Sequence, residues 1–238
     1  MYRSYGVTVV FPFLMTRIEC LERLAMAIAA VRRAHPTRVA IDGVDAAGKT
    51  SLADELVEFV ARTGRQVIRA SVDGFHRPRD VRYQRGVDSA EGYFLDSFDY
   101  ATLKTVLLAP LGPLGDRRFR TAAFDYRVDQ PITPPVQTAA DDAILLFDGV
   151  FLQRAELAEV WDFRIWVEAP FDITVPRAVS RDATGDNGGV AAKYRSRYVP
   201  GQMLYMDQCR PRESADVIVM NADFAHPGLC FLRVGAGS

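Results

Sequence analysis

The spacing of apolar residues along the chain predicts helices that alternate with strands. Apolar side chains recur every three or four positions in residues 18–33, which is the period of a helix with one buried face. The same period begins again after residue 49 and stops at Gly64. A shorter helix is predicted for residues 101–108, beyond a long polar and aromatic stretch at 73–99 that is typical of a functional loop.

Short, continuous apolar runs lie between these helices and are typical of strands that are buried on both faces. The predicted strands cover residues 38–42, 66–71, 143–148, 163–167 and 216–219, and a charged strand or hairpin is predicted near 117–126. Strands that alternate with helices favour a parallel sheet covered by helices on both sides. We therefore expect an α/β protein with a doubly wound parallel sheet.

Length and composition fit a single domain of this kind. The chain has 238 residues, of which 49% are hydrophobic and 25% are charged, as in ordinary globular proteins. We assign residues 17–238 to the domain. Residues 1–16 are predicted to be an N-terminal extension outside the core, because Pro12 interrupts their apolar stretch and a second Met stands at position 15.

Charge and cysteine content argue against several kinds of partner. The formal net charge of −1 gives no general attraction to nucleic acid or to anionic membranes. No apolar run approaches the roughly 18 residues that a membrane span needs. Cys20, Cys209 and Cys230 are widely scattered, fit no metal-binding spacing and indicate reduced thiols of a cytoplasmic protein. A small-molecule substrate is the expected partner, and assembly into a homo-oligomer is left open.

The turn after the first predicted strand carries the strongest chemical signal. Residues 43–51 read Gly-Val-Asp-Ala-Ala-Gly-Lys-Thr-Ser, which matches the G-x-x-x-x-G-K-[ST] pattern of a P-loop in its usual place between strand and helix. The backbone N–H groups of such a loop cradle phosphates. The predicted nucleotide-binding residues are Gly43, Ala46, Ala47, Gly48, Lys49, Thr50 and Ser51.

Two side chains of this loop predict the cofactors ATP and Mg²⁺. Lys49 supplies a cation for the outer phosphates, and the Thr50 hydroxyl is a ligand for Mg²⁺. A carboxylate in the same loop would repel phosphate, so we expect Asp45 to point away from it.

Carboxylates follow the predicted strands at the edge of the sheet where ligands gather. Asp148 ends an apolar strand and fits a second metal-binding position, through a bound water, beside Thr50. Asp73 follows another strand and fits the base that orients or deprotonates an attacking hydroxyl. The alternative for either residue is a turn or helix-capping carboxylate, which is common at such junctions. Glu168, which ends the next strand, is equally consistent with a functional role and with a capping role.

An arginine-rich stretch near the C-terminal end predicts a lid over the phosphates. Residues 177–200 contain a glycine-flanked segment at 184–189 that we interpret as a hinge. Arginines of such a lid reach the transferring phosphoryl group on closure, and we expect them to be solvated when the site is empty. The alternative is a solvated helix face. The basic residues of the longer stretch 177–212 are Arg177, Arg181, Lys193, Arg195, Arg197, Arg210 and Arg212.

The order of these motifs resembles the uridine kinase and phosphoribulokinase-like branch of P-loop kinases. The resemblance rests on the P-loop, on Asp73-Gly-Phe-His76-Arg77, on the segment 96–99, on Asp148-Gly and on the strand 215–219. It implies a nucleoside- or nucleotide-kinase-like fold in which Asp73 activates the acceptor hydroxyl. By the same resemblance Arg177 and Arg181 lie on the lid, and Arg181 joins Lys49 and Asp73 as a catalytic residue.

Departures from this family fall where the acceptor would be bound. Family members carry Tyr-Asp-Phe and then a His, whereas this chain reads Phe124-Asp-Tyr-Arg-Val-Asp129. They also carry a Gln where this chain has Arg197. These positions leave a nucleoside, a sugar or another alcohol as the acceptor. The predicted substrate-binding residues are His76, Arg77, Asp125, Tyr126, Arg177 and Arg197.

Two other kinds of P-loop protein are alternatives to an ATP-dependent kinase. A nucleotide-binding switch protein would need no acceptor, but the N-K-x-D motif of common GTPases is absent from the sequence. A thymidylate-kinase-like enzyme fits residues 41–45, but the Asp-Arg-Tyr segment expected after the second or third strand is missing. The sequence therefore favours transfer of the γ-phosphoryl group of ATP to a hydroxyl of a small metabolite.

Overall fold

A seven-stranded sheet forms the centre of the protein in a computed structural model that describes residues 13–182 and 187–232. The strand order is β1-β11-β10-β9-β2-β8-β3. The five strands from β10 to β3 run parallel to one another, while β11 and β1 are antiparallel to their neighbours. The strands are β1 (Phe13–Leu14), β2 (Thr37–Gly43), β3 (Val67–Ser71), β8 (Ile144–Gly149), β9 (Phe163–Glu168), β10 (Val217–Met220) and β11 (Gly228–Phe231).

Nine α-helices are assigned within the described ranges. Those longer than ten residues are α1 (Arg17–Ala30), α2 (Lys49–Ala61), α6 (Phe171–Asp182) and α8 (Val199–Cys209). The shorter ones are α3 (Arg79–Arg82), α4 (Ala90–Asp96), α5 (Tyr100–Leu103), α7 (Asn187–Lys193) and α9 (Pro211–Ser214). None of the helices in residues 13–182 and 187–232 is long and apolar enough to cross a membrane.

The core lies on both faces of β2 and β8, whose residues are all buried. This burial explains why both strands are continuous apolar runs rather than alternating ones. Helix α1 begins where the sequence supplies a capping box: the backbone N–H of Glu19 donates to the Thr16 hydroxyl, and the Glu19 carboxylate accepts from Thr16. The prediction of an α/β protein with a mostly parallel sheet is confirmed.

Two antiparallel strands at one edge of the sheet add to the predicted parallel arrangement. Strand β11 was not predicted, and it pairs with both β10 and β1. Phe13–Leu14 therefore belongs to the sheet, although it falls within the predicted extension at 1–16, whose first twelve residues lie outside the described part of the chain. Two residues give too little pattern for a strand to be recognised, and here the pairing partner defines it.

Residues 117–138 form a small arm beside the sheet instead of the predicted hairpin at 117–126. Strand β4 (Arg118–Phe119) pairs with β7 (Gln137–Thr138), and β5 (Phe124–Asp125) pairs with β6 (Gln130–Pro131). The two strands in the predicted hairpin thus pair with later residues. The backbone N–H of Ala123 donates to the carbonyl of Gly74 at 2.8 Å, which anchors the arm next to the segment that follows β3.

Candidate active site

The P-loop connects β2 to α2 and needs both of its glycines. Gly48 has φ +93°, and a Cβ atom there would lie 2.5 Å from Asn221 Nδ2 and from the Phe224 ring. A Cβ atom at Gly43 would lie 2.4 Å from the carbonyl oxygen of Val167. Lys49 is 7% exposed, and its Nζ donates to the carbonyl of Val44 at 2.7 Å. The ammonium group is thereby held against the loop that would cradle phosphates.

Thr50 and Asp148 meet at the edge of the sheet, as the sequence predicts. The Thr50 hydroxyl donates to Asp148 Oδ2 at 2.6 Å, and Asp148 Oδ1 lies 2.8 Å from Arg69 Nη1. A hydroxyl and a carboxylate are the hard oxygen ligands that Mg²⁺ takes when phosphates and waters complete its shell. This donor pair fits Mg²⁺, with Arg69 fixing the orientation of the carboxylate.

A cavity of about 760 Å³ opens in front of the P-loop. Lys49, Thr50 and Asp148 line one part of it, and Asp73 and His76 line another. Aromatic side chains form much of the remaining wall. They are Tyr93, Phe98, Tyr126, Tyr194, Tyr198 and Phe224.

Asp73 has the environment of a general base. It follows β3 in a 3₁₀ turn that is started by its neighbour, since the Asp73 backbone N–H donates to the Ser71 hydroxyl at 3.3 Å. Its side chain is exposed at the cavity, whose wall removes part of the surrounding water. This desolvation raises the pKa of Asp73; the charge of His76 opposes the rise and the charge of Asp148 adds to it. A carboxylate with a raised pKa accepts a proton from an alcohol more readily.

His76 is fixed in the wall beside Asp73. Its Nδ1 lies 3.0 Å from the carbonyl oxygen of Asp73, and its ring packs between Phe98 and Tyr126 at centroid distances of 4.6 and 4.8 Å. Burial lowers the pKa of His76, although the charge of Asp73 opposes this shift. The three rings, which are tilted by 56° and 35° to one another at His76, form an aromatic part of the cavity wall.

The predicted lid arginines Arg177 and Arg181 form hydrogen bonds and ion pairs with protein groups at the cavity. Arg177 donates to the carbonyls of Asn221 and Ala222 at 3.2 and 2.6 Å and stacks on the Phe224 ring at 4.0 Å. Arg181 forms an ion pair with Asp45 at 3.3 Å. Both arginines line the cavity. Arg181 keeps 54% of its side chain exposed, as expected for a solvated lid arginine, whereas Arg177 is half-buried against protein, in contrast to that expectation.

Asp45 also differs from its prediction, because it lines the cavity instead of pointing away from it. The cause is its pairing with Arg181 and with the Tyr194 hydroxyl, which donates to Asp45 at 2.5 Å. The predicted hinge at 184–189 is corrected as well. Asn187–Lys193 is helix α7, and the remaining positions, 184–186, lie outside the described residues.

Three predicted substrate-binding residues do not line the cavity. Arg197 is only 2% exposed, and its guanidinium donates to the carbonyls of Arg82, Gly86 and Ser89, so it holds loop backbone in place. Asp125 accepts the backbone N–H of Arg127 at 2.9 Å, a turn contact. Arg77 does not line the cavity, although its neighbour His76 does, and the Arg77 backbone N–H donates to the Ser97 carbonyl.

Two other acidic residues that the sequence analysis considered, Asp129 and Glu168, bind neighbouring groups of the fold. Asp129 accepts hydrogen bonds from the Arg79 backbone and from the Arg82 guanidinium, the latter at 2.9 Å. Glu168 forms an ion pair with Arg212 at 2.7 Å. Neither lines the cavity.

Several residues near the cavity were not singled out from the sequence, and Phe224 and Asn221 are two that adjoin the P-loop. Phe224 lines the cavity beside Gly48, and Asn221 donates from Nδ2 to the carbonyl of Ala47 at 2.7 Å. Both follow β10, whose parallel alignment with β9 brings its carboxyl end toward the P-loop. The signal that could have identified them is their position directly after a strand that ends at the ligand-binding edge of the sheet.

Comparisons with known proteins agree with this geometry. No family model matches the sequence. Uridine-cytidine kinase B of Dictyostelium discoideum is 25% identical over 193 residues, which cover 78% of this chain and 74% of that protein. The structure of a possible uridine kinase from Bacillus stearothermophilus superposes with a TM-score of 0.68 at 23% identity, over 84% of this chain and 97% of the other.

A second solved structure, of a putative fructose transport system kinase from Silicibacter sp. TM1040, gives a TM-score of 0.67 at 20% identity. It covers 79% of this chain and 94% of the other. The chain is therefore similar to P-loop kinases of the uridine kinase-like family. These similarities support the prediction of an ATP-dependent kinase that acts on a small-molecule alcohol.

A buried polar cluster supports the P-loop of this kinase from behind. Asp42 precedes Gly43, is completely buried and accepts hydrogen bonds from the Tyr205 hydroxyl, from the Gly43 backbone at 2.8 Å and from Gln153 Nε2 at 3.3 Å. Burial raises the pKa of Asp42 to about 6, against the opposing effect of these hydrogen bonds and of Lys49. The cluster links β2 to α8 and to the segment after β8.

We expect the stability of the kinase to fall relative to an Asp42→Asn variant as the pH rises. The pKa of Asp42 in the folded state exceeds its unfolded value near 4, so its contribution is fully present below pH 4 and is lost as the pH rises through 6. A difference of about two units between the folded and unfolded pKa values corresponds to about 3 kcal/mol in the free energy of unfolding. Urea unfolding of both proteins at pH 4.5 and 7.5 measures this. If the stabilities of the wild type and of Asp42→Asn changed in parallel with pH, Asp42 would not ionise in a buried position.

Proposed function

We propose that this kinase transfers the γ-phosphoryl group of Mg-ATP to a hydroxyl of a small metabolite that binds beside Asp73. One observation carries the proposal. The phosphate-facing groups Lys49, Thr50 and Asp148 and the carboxylate of Asp73 line one continuous cavity, so a donor phosphate and an acceptor alcohol can meet there.

Each residue contributes a separate part of the reaction. Lys49 places its charge on the outer phosphate oxygens, and Thr50 and Asp148 hold Mg²⁺, which neutralises phosphate charge when bound. Asp73 accepts the proton of the attacking hydroxyl as the new oxygen–phosphorus bond forms. The bond between the γ-phosphorus and the bridging oxygen breaks, and ADP leaves with that oxygen. Arg181 is the lid cation for the transferring group.

The chemistry of the wall around Asp73 favours an acceptor that contains a ring, such as a nucleoside or a sugar. His76, Phe98 and Tyr126 present ring faces, and Tyr93 adds an aromatic side chain on the same cavity. Flat aromatic surfaces suit a base or the C–H face of a sugar. The names of the similar proteins, which include uridine-cytidine, uridine and fructose transport kinases, support this acceptor class.

The three cysteines support a cytoplasmic location. Cys20, Cys209 and Cys230 are all free in the structure, and burial raises the pKa of the Cys20 thiol to about 11. Free and unreactive thiols fit a reducing compartment.

The nucleotide base is proposed to stack on Phe224. Arg177 covers this ring at 4.0 Å, and the ring adjoins Gly48, so a base that extends from phosphates on the P-loop would meet this surface. Phe224→Ala should raise the KM for ATP about tenfold, because stacking on an aromatic ring contributes about 1–3 kcal/mol per base. Tyr126→Ala is the matched control and should raise the KM for the acceptor alone. An unchanged KM for ATP in the Phe224 variant would place the base elsewhere.

The decisive experiment measures ADP release with a panel of nucleosides, sugars and pantothenate-like alcohols. ADP release that depends on an acceptor, together with recovery of the phosphorylated alcohol, supports the proposal. Hydrolysis that no acceptor stimulates would favour the alternative of a nucleotide-binding regulatory protein.

A further inference from the structure

The P-loop of this kinase carries its own anionic side chain into the phosphate site. Asp45 is the third residue of the loop, and its carboxylate lines the cavity with Lys49. Its position is fixed by local bonds: the Ala46 backbone N–H donates to Oδ1 at 2.9 Å, and the Asp45 backbone N–H donates to Gln202 of α8. A fixed negative charge here must affect how phosphate binds.

The partners of Asp45 come from both sides of the lid. Arg181, at the end of α6, donates from Nη1 and from Nη2 to the two carboxylate oxygens, at 3.3 Å each. Tyr194, directly after α7, donates its hydroxyl to Oδ2 at 2.5 Å. Asp45 thus links the end of α6, through Arg181, and the residue after α7, Tyr194, to the P-loop.

Arg181 has little capacity left for a phosphate in this arrangement. Its Nε donates to Asp182 at 2.7 Å, and Nη2 also contacts Asp182 and the Tyr194 hydroxyl at 3.1 and 3.2 Å. With both Nη atoms on Asp45, every nitrogen of the guanidinium already has an acceptor. To contact a transferring phosphoryl group with both Nη atoms, Arg181 must exchange a carboxylate for it.

The charges make this exchange a competition. Burial opposes the ionisation of Asp45, but the charges of Lys49 and Arg181 hold its pKa below its usual value, so the carboxylate is ionised at neutral pH. Phosphate oxygens need the same two cations. A carboxylate beside incoming phosphates also repels them.

We propose that Asp45 is a built-in restraint that occupies Arg181 until the phosphates of ATP displace the carboxylate. This inference rests on the proposed function, because it assumes that the P-loop binds ATP. Asp45 then lowers the affinity for nucleotide and keeps the lid arginine away from the γ-phosphate position in the ligand-free enzyme.

Asp45→Asn tests the restraint, with Asp182→Asn as the matched control. Both variants remove one carboxylate from Arg181, but Asp182 lies on the lid helix itself and its loss leaves the tie between lid and P-loop intact. Calorimetric titration with a non-hydrolysable ATP analogue should show about tenfold tighter binding to the Asp45 variant and a change within about threefold for the control. Tyr194→Phe, which loses only the hydroxyl that holds Asp45, should show a smaller gain in the same direction.

The outcomes separate this inference from the proposed function. Unchanged or weaker binding of the analogue to a folded Asp45→Asn protein would overturn the restraint and make Asp45 a positioning residue for Arg181. If that variant fails to fold in a thermal melt, Tyr194→Phe decides by the same criterion. Tighter binding combined with no phosphorylation of any acceptor would leave the restraint standing and reject the proposed kinase reaction.

Discussion

Replacing Lys49 with alanine should lower kcat/KM by at least a hundredfold. Its ammonium group is one of the few cations that line the phosphate side of the cavity, and it is held 2.7 Å from the Val44 carbonyl. The buried setting makes its interaction with developing phosphate charge stronger than in water. Loss of such a preorganised contact costs on the order of 3 kcal/mol or more in the transition state. Steady-state ADP release at saturating acceptor measures the effect.

Lys104→Ala is the control for Lys49→Ala. Lys104 lies at the end of α5, away from the residues that line the cavity, so its loss should leave kcat/KM within about twofold of the wild type. A thermal melt of both variants distinguishes a catalytic effect from unfolding. Wild-type kcat/KM in the Lys49 variant would remove the P-loop from the mechanism.

The parts of the fold that were predictable from the sequence are those with a local cause. β2 and β8 are continuous apolar runs because both of their faces are buried, and the P-loop needs glycine at 43 and 48 because neighbouring atoms leave no room for a Cβ. Thr50 and Asp148 could be paired because parallel strands end at one edge of a sheet. In each case the residue type and its strand fix the location.

The errors concern side chains whose partners are distant in the sequence. Arg197 was predicted to bind substrate as part of a basic stretch, yet its guanidinium is buried on carbonyls more than one hundred residues earlier. Asp45 was predicted to point away from the cavity because phosphate would repel it. Its partner Arg181, which compensates the charge, lies 136 residues later in the sequence. A sequence pattern gives the charge of a residue but not the charges that surround it after folding.

Asp73→Asn should lower kcat by about 10²- to 10⁴-fold and leave the affinity for ATP within about twofold of the wild type. The amide keeps the shape of the side chain but cannot accept the proton of the attacking hydroxyl, and general-base contributions have this size. ATP affinity should hold because the phosphate-facing groups are Lys49, Thr50 and Asp148. Single-turnover rates and calorimetric titration with ATP measure the two quantities separately.

The pH dependence of kcat/KM provides the second test of Asp73. Because desolvation and Asp148 raise the pKa of Asp73, wild-type activity should fall as the pH drops through that raised value, and the residual activity of Asp73→Asn should lose this step. Asp125→Asn is the matched control: this carboxylate holds a turn outside the cavity, so the variant should keep both kcat and the step. If ATP affinity instead fell sharply in Asp73→Asn while kcat held, Asp73 would be a ligand of the metal or nucleotide, and the base would have to be sought elsewhere along the cavity.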